Sequence, residues 1–142
     1  MKDAKLDLTA TSWVLARTDL AYYAGDDAAL LPVLAIGGVG VVGTSTHFVA
    51  DLTAQLIRAF LDGDVGGARE LHARLLPAYT GIFRTQGTIL VKAGLRELGL
   101  PSGPVRLPLV DATDAEIDQL RADLAASGVD LSAQLSTAGA PA

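Results

Sequence analysis

The sequence predicts an α/β chain in which short parallel strands alternate with helices and then give way to a helical block. Residues 20–24 and 39–42 are short apolar runs without polar alternation, the pattern of parallel strands covered on both faces. Between them, residues 28–36 have the length and composition of one helix. From Val49 to Ala126 apolar residues recur at helical spacing, interrupted by Gly and Pro.

Taken in order, residues 9–17 can form a helix, with Trp13, Val14 and Leu15 supplying apolar area. Leu20 to Ala24 reads as a buried strand, ended by the turn signal Gly25-Asp26-Asp27, whose carboxylates can cap the next helix. That helix starts or kinks near Pro32. The second strand is fenced by Gly37, Gly38, Gly40 and Gly43. Val49, Leu52, Leu56, Ile57, Phe60 and Leu61 then mark a helix of about four turns that stops at Asp62-Gly63-Asp64. A second long helix carries Leu71, Leu75, Leu76, Tyr79 and Phe83 on one stripe, with a kink or joint expected at Pro77. Residues 89–98 form a third helix, terminated by Gly99-Leu100-Pro101. After a turn-rich connector over 101–108, Thr113 and Glu116 make a capping box that opens a helix to about Ala126. Residues 132–142 are Ala, Ser, Gly and Pro with little to bury, which predicts a mobile tail.

Composition narrows the class of function. A chain of 142 residues with 50% hydrophobic and 19% charged residues is long enough for one core and too apolar for disorder. Its net charge of -5, without a dense Lys/Arg run, gives no electrostatic footprint for nucleic acid or anionic lipid. The absence of cysteine rules out disulfides, thiolate nucleophiles and cysteine metal clusters. No apolar h-region follows Met1, and no apolar stretch reaches the length of a membrane span, so a cytosolic protein is expected. Two or three parallel strands do not seal their own edges. The residues before Leu6 leave little room for a first strand, so the sequence reads as a larger α/β protein entered partway through.

Four segments, in order, carry a family likeness. They are Lys2-Asp3-Ala4-Lys5; Tyr22-Tyr23-Ala24-Gly25-Asp26-Asp27; Gly37-Gly38-Val39-Gly40-Val41-Val42-Gly43-Thr44; and Lys92 to Gly99 with Arg106-Leu107-Pro108. Together they resemble the C-terminal half of the dihydrodipicolinate synthase / N-acetylneuraminate lyase family, (β/α)8-barrel class I aldolases, with the dihydrodipicolinate branch the nearer. The resemblance runs from Lys2 to about Leu131. It implies a partial TIM barrel: the last three βα units over 1–62, a C-terminal helical appendage over 63–131, and the flexible tail. It also implies that Lys2 matches the lysine that forms a Schiff base with pyruvate at the end of the sixth strand. Gly25 would lie beside the bound ketoacid and Val42 would pack against it. The departures are the missing Gly-rich strand before the lysine and Gly43 in place of a small hydroxyl. Nothing matches the first five strands, which in the family carry the carboxylate-binding threonine pair and the proton-relay tyrosine.

Each candidate residue also has a plainer reading. A Schiff-base lysine needs burial or a neighbouring cation to lower a pKa of about 10.4, and Lys2 in an isolated chain is equally an exposed terminal lysine. Tyr22 and Tyr23 read as core or interface aromatics rather than acid/base groups. Asp26 and Asp27 read as helix caps rather than a cation site. The glycines around 37–43 do not make a phosphate loop, because they flank a strand and no Lys-Ser/Thr pair comes after them. His47 and His72 suit surface or capping roles, without a zinc motif. Lys92, Arg96 and Arg106 suit solvation or internal ion pairs.

Two functions are compatible with these residues. One is a truncated lyase whose intact relatives join pyruvate to a small aldehyde, L-aspartate-4-semialdehyde, without a cofactor. This chain alone would be inactive and would need a complementing N-terminal half. The other is a noncatalytic α/β module that buries its open strands in a homo-oligomer, with Leu20, Tyr22, Val39 and Val41 or their alternates facing the partner.

Overall fold

The computed structural model describes residues 1–131, so the tail expected from residue 132 lies outside the described residues. Three two-residue strands, β1 (Lys2–Asp3), β2 (Tyr23–Ala24) and β3 (Gly40–Val41), form a parallel sheet in the order β1-β2-β3. Helix α1 (Leu8–Leu15) connects the first pair; a short 3-10 turn (Asp27–Ala29) and α2 (Leu30–Ala35) connect the second. Four further helices complete the described chain: α3 (Thr46–Leu61), α4 (Val65–Gly81), α5 (Gly87–Glu97) and α6 (Asp114–Ala126).

The helix starts are fixed by local chemistry. The Asp7 carboxylate accepts from Ala10 N–H at the head of α1, and that of Asp64 from Gly67 N–H at the head of α4, satisfying backbone donors that have no helical partner. The capping box of α6 is complete: Thr113 N–H donates to Glu116, and Glu116 N–H to the Thr113 hydroxyl.

One face of the sheet packs on helices and the other does not. Tyr22, Ala24, Ala29 and Val33 form a buried cluster with Val14, Leu15 and Val41 packed against it, joining the sheet to α1 and α2. Leu20, Tyr23, Val39 and Val42 are exposed. The sequence reading of strands covered on both faces is corrected accordingly, as is the assignment of Tyr22 and Val41 to an outward face. Trp13 likewise lies outside the cluster, with the Arg17 guanidinium 4.3 Å above its ring.

A larger core begins at Leu30 and Leu34 of α2 and runs through Phe48, Leu56, Leu75, Tyr79, Leu90, Leu120 and Leu124. Burial of Leu75 and Tyr79 matches the predicted stripe of α4, whereas Leu76 and Phe83 are exposed. Helix α4 runs through Pro77 in one piece. Next to that missing donor, Ala78 N–H donates to the buried Ser127 hydroxyl at 3.0 Å, and Arg74 Nε donates to Ser127 O at 3.0 Å, so the end of α6 braces the proline turn. The non-helical backbone lies instead in α3, at Val49 (φ -119°, ψ 23°).

Helix α6 is further tied to α4 and its C-terminal end by Asp123, 6% exposed, which accepts from Arg84 Nε at 2.6 Å and a second Arg84 nitrogen at 2.9 Å. The Arg84 hydrogen bond holds the Asp123 carboxyl below the usual carboxylate range, against an opposing push from burial. A group depressed in the folded state contributes stability that is complete above its unfolded value, about 3.9, and is lost as pH falls through the folded value. Thermal melts from pH 7 down to pH 2 should therefore show a plateau followed by an acid-side fall, and Asp123→Asn should flatten that fall.

Candidate functional site

The sheet gathers the candidate residues at its C-terminal edge. Lys2, Tyr23 and Gly40 are partners in one row, and Asp3, Ala24 and Val41 in the next. Side chains alternate along a strand, so Val42, two residues after Gly40, returns to the face that carries Lys2, while Gly25 sits in the bend just past β2 with its Cα turned toward the Asp3–Ala4 backbone. Lys2 and Val42 are exposed and Gly25 is half-buried. Lys2 and Val42 thus share one face at the C-terminal edge of the sheet, and Gly25 lies at the same edge between them, where parallel α/β folds present their sites. The Tyr23 ring lies along the same face, 3.4 Å from where a Cβ on Gly40 would stand.

Gly25 has a steric reason to be glycine. Its N–H donates to Asp3 O at 2.7 Å, and a Cβ there would stand 2.8 Å from Asp3 C and O and 2.9 Å from Ala4 N, all backbone atoms with nowhere to go. Gly25→Ala is expected to push β1 away from β2 at a cost of about 1–3 kcal/mol. Urea unfolding measures the loss, and faster amide exchange at residue 25 locates it.

Behind Lys2 lies a polar group that the sequence reading did not assemble. The Tyr22 hydroxyl donates to Asp3 Oδ2 at 2.5 Å and lies 3.1 Å from the Thr11 hydroxyl, while Lys5 N–H donates to Asp3 Oδ1 at 2.9 Å. The Tyr22 hydrogen bond leads the effects that hold the Asp3 carboxyl below its ordinary value; burial, then Asp3, pushes the Tyr22 phenol up. Tyr22 is thus a core aromatic with its hydroxyl on a polar partner.

Asp27 corrects a second expectation. Asp26 does cap, accepting from Ala28 N–H at 2.9 Å, but Asp27 is 1% exposed and reaches across to the segment after β3. It accepts from Thr44 N–H at 3.0 Å and from the buried Ser45 hydroxyl at 2.5 Å. The loop after Val42 is thereby locked to the loop after Gly25. A contact between residues 17 and 18 positions apart leaves no local signal.

Three of the remaining polar candidates, His47, Lys92 and Arg96, have structural partners. His47 is exposed, its Nδ1 2.8 Å from Thr44 O just ahead of α3, and it caps none of the helix's N–H groups. His72 is half-buried: its Nδ1 is buried without a hydrogen-bond partner among the described residues, and burial pushes its pKa down. Lys92 donates to Pro104 O at 2.6 Å, and Arg96 pairs with Asp111 at 3.1 Å, so both hold the connector after α5. A cleft of about 710 Å³ is lined by Thr88, Lys92 and residues 105–109 and shares no residue with the sheet. Among the described residues no group of three His, Asp or Glu side chains is placed to hold a metal ion, and no helix is long and apolar enough to cross a membrane.

Comparison with known proteins places this geometry. The chain is 62% identical over 128 residues to 4-hydroxy-tetrahydrodipicolinate synthase of Acidothermus cellulolyticus, covering 90% of this chain and 42% of the relative. Identity to 4-hydroxy-tetrahydrodipicolinate synthase 2 of Streptomyces coelicolor is 49% over 130 residues, covering 92% and 44%. The crystal structure of the dihydrodipicolinate synthase of Cyanidioschyzon merolae with lysine bound superposes with a TM-score of 0.85 at 38% identity, over 89% of this chain and 44% of that one. The chain therefore spans less than half the length of these relatives. The family model for the dihydrodipicolinate synthetase family matches residues 1–127, and the chain belongs to that family.

Proposed function

We propose that this chain supplies the lysine-bearing part of a cytosolic pyruvate-condensing lyase of the 4-hydroxy-tetrahydrodipicolinate synthase type. In this reading β1–β3 and their helices are the last three βα units of a (β/α)8 barrel, and the remaining helices are its appendage. The observation that carries it is the gathering of Lys2, Gly25 and Val42 at the C-terminal edge of a parallel sheet. Lys2 Nζ would attack C2 of pyruvate, and the carbonyl oxygen would leave as water to give an imine. Loss of a C3 proton makes the enamine, whose carbon adds to the aldehyde carbon of L-aspartate-4-semialdehyde. The amino group brought in with the semialdehyde then attacks the imine carbon, closing a ring and breaking the carbon–Nζ bond, which returns Lys2 as the free amine. Gly25 leaves room for the ketoacid and Val42 supplies an apolar wall.

The groups that anchor the carboxylate and relay the proton would come from the five βα units that the relatives carry in addition. Lys2 is exposed here, whereas an amine reactive near neutral pH needs the closed setting that those units provide. The chain alone should therefore show negligible turnover, and turnover should appear when the part of the Acidothermus cellulolyticus relative that this chain does not span is added. No gain on mixing, with both parts folded, would count against the reading. A second reading, a noncatalytic homo-oligomer, draws on the exposure of Leu20, Val39 and Val42, which flank the short parallel strands. Native mass separates the two: a stable oligomer that excludes the added part supports the second.

A further inference from the structure

Resting on the reading of Lys2 as the reacting amine, we infer that Asp3, Tyr22 and Thr11 are positioning residues that aim Lys2 from the opposite face of its strand. Lys2 is exposed and lies in a two-residue strand at the end of the sheet, so its direction is set by its backbone. The hydrogen bonds that hold that backbone to the segment of β2 include Tyr23 N–H to Met1 O at 2.8 Å, Gly25 N–H to Asp3 O at 2.7 Å and the Met1 ammonium to Ala21 O at 2.5 Å. A side-chain anchor on the opposite face adds to these.

Asp3 provides it. Neighbouring residues of a strand point to opposite faces, so a side chain that holds Asp3 against the helical layer turns Lys2 onto the open face. The Tyr22 ring is 1% exposed and cannot swing away, and Thr11, 4% exposed, belongs to α1. Because the single phenolic proton goes to the Asp3 carboxylate, the Thr11 hydroxyl must donate to Tyr22 Oη. The chain of donors thus runs from α1 through the residue that precedes β2 to the residue beside Lys2. Asp3 Oδ1 also accepts from Lys5 N–H, which fixes the turn that leaves the strand.

The test uses Tyr22→Phe, Thr11→Val and Thr11→Ser in the full 142-residue chain. Amide exchange is read first, without any added component. The clamp predicts exchange about tenfold or more faster at Tyr23 and Gly25 in Tyr22→Phe and Thr11→Val, with the amides of Leu56 and Leu75 unchanged, because only β1 opens. Thr11→Ser keeps the hydroxyl and should restore wild-type exchange. The second readout, in the mixture with the complementary part of the relative, is the pyruvate concentration for half-maximal borohydride trapping on Lys2. It should rise in Tyr22→Phe and Thr11→Val and return in Thr11→Ser. Equal exchange in all four chains overturns the clamp, as does faster exchange with unchanged trapping. If wild-type Lys2 is not trapped at all, the lyase reading fails, and the exchange ratio still decides whether the clamp holds β1.

Discussion

Incubated with pyruvate and borohydride beside the complementary part of its relative, the chain is expected to gain about 72 Da, the mass of an imine formed and then reduced, on Lys2. Lys2→Ala should gain no selective adduct and should lose turnover by several orders of magnitude, since the covalent intermediate is carried on Lys2. Three lysines make the site of addition decisive: Lys5 lies three residues beyond Lys2, and Lys92 is engaged with Pro104 O. Peptide mass spectrometry should place the added mass on Lys2 in the mixture. In the chain alone, where Lys2 is exposed, it should label no faster than Lys5. Selective labelling of Lys2 without the added part would overturn the argument that closure tunes the amine. Uniform labelling of Lys2 and Lys5 in the mixture would remove Lys2 from the reaction.

Much of this was legible in the residues because it is local. The capping box at Thr113 and Glu116 needs four residues and specifies its own geometry. The stripe through Leu56, Leu75 and Tyr79 records burial that a helix imposes by period alone. Lys2, Gly25 and Val42 could be named from the family pattern, and the register then gathered them at one edge of the sheet. What could not be read depends on partners distant in sequence. Tyr22 and Tyr23 are chemically alike and adjacent, and only the helices packed behind the sheet make the first a buried link to Asp3 and the second an exposed ring. Asp27 sits in a run that spells a cap, yet its carboxylate is used by Thr44 and Ser45 after another whole βα unit. Pro77 suggested a break because a proline lacks its donor, but Ser127 meets the next backbone N–H.

The same distinction governs the joint between the sheet-bearing part and the helical block, and there a single aromatic is expected to have the largest effect on stability. Phe48 lies in the first turn of α3, three residues after the Ser45 hydroxyl that Asp27 holds. Its ring tip rests where a Cβ on Gly94 of α5 would stand, and Leu120 of α6 closes the same space at 3.2 Å. Phe48 is 7% exposed, so truncation removes a large buried surface and leaves a cavity among three helices. Phe48→Ala should cost about 3–5 kcal/mol in urea or thermal unfolding. Gly94→Ala should cost about 1–3 kcal/mol for the opposite reason, because the added methyl meets the ring and the α5 backbone does not yield. Two substitutions that act on one space do not add. In the double variant Phe48→Leu with Gly94→Ala, the shorter side chain vacates the volume that the methyl needs, so the combined loss should fall below the sum of the two single losses. Strict additivity would mean that the ring and the glycine do not share that space. A loss in Phe48→Ala smaller than about 1 kcal/mol would mean that α5 and α6 are held to the sheet by contacts other than this one.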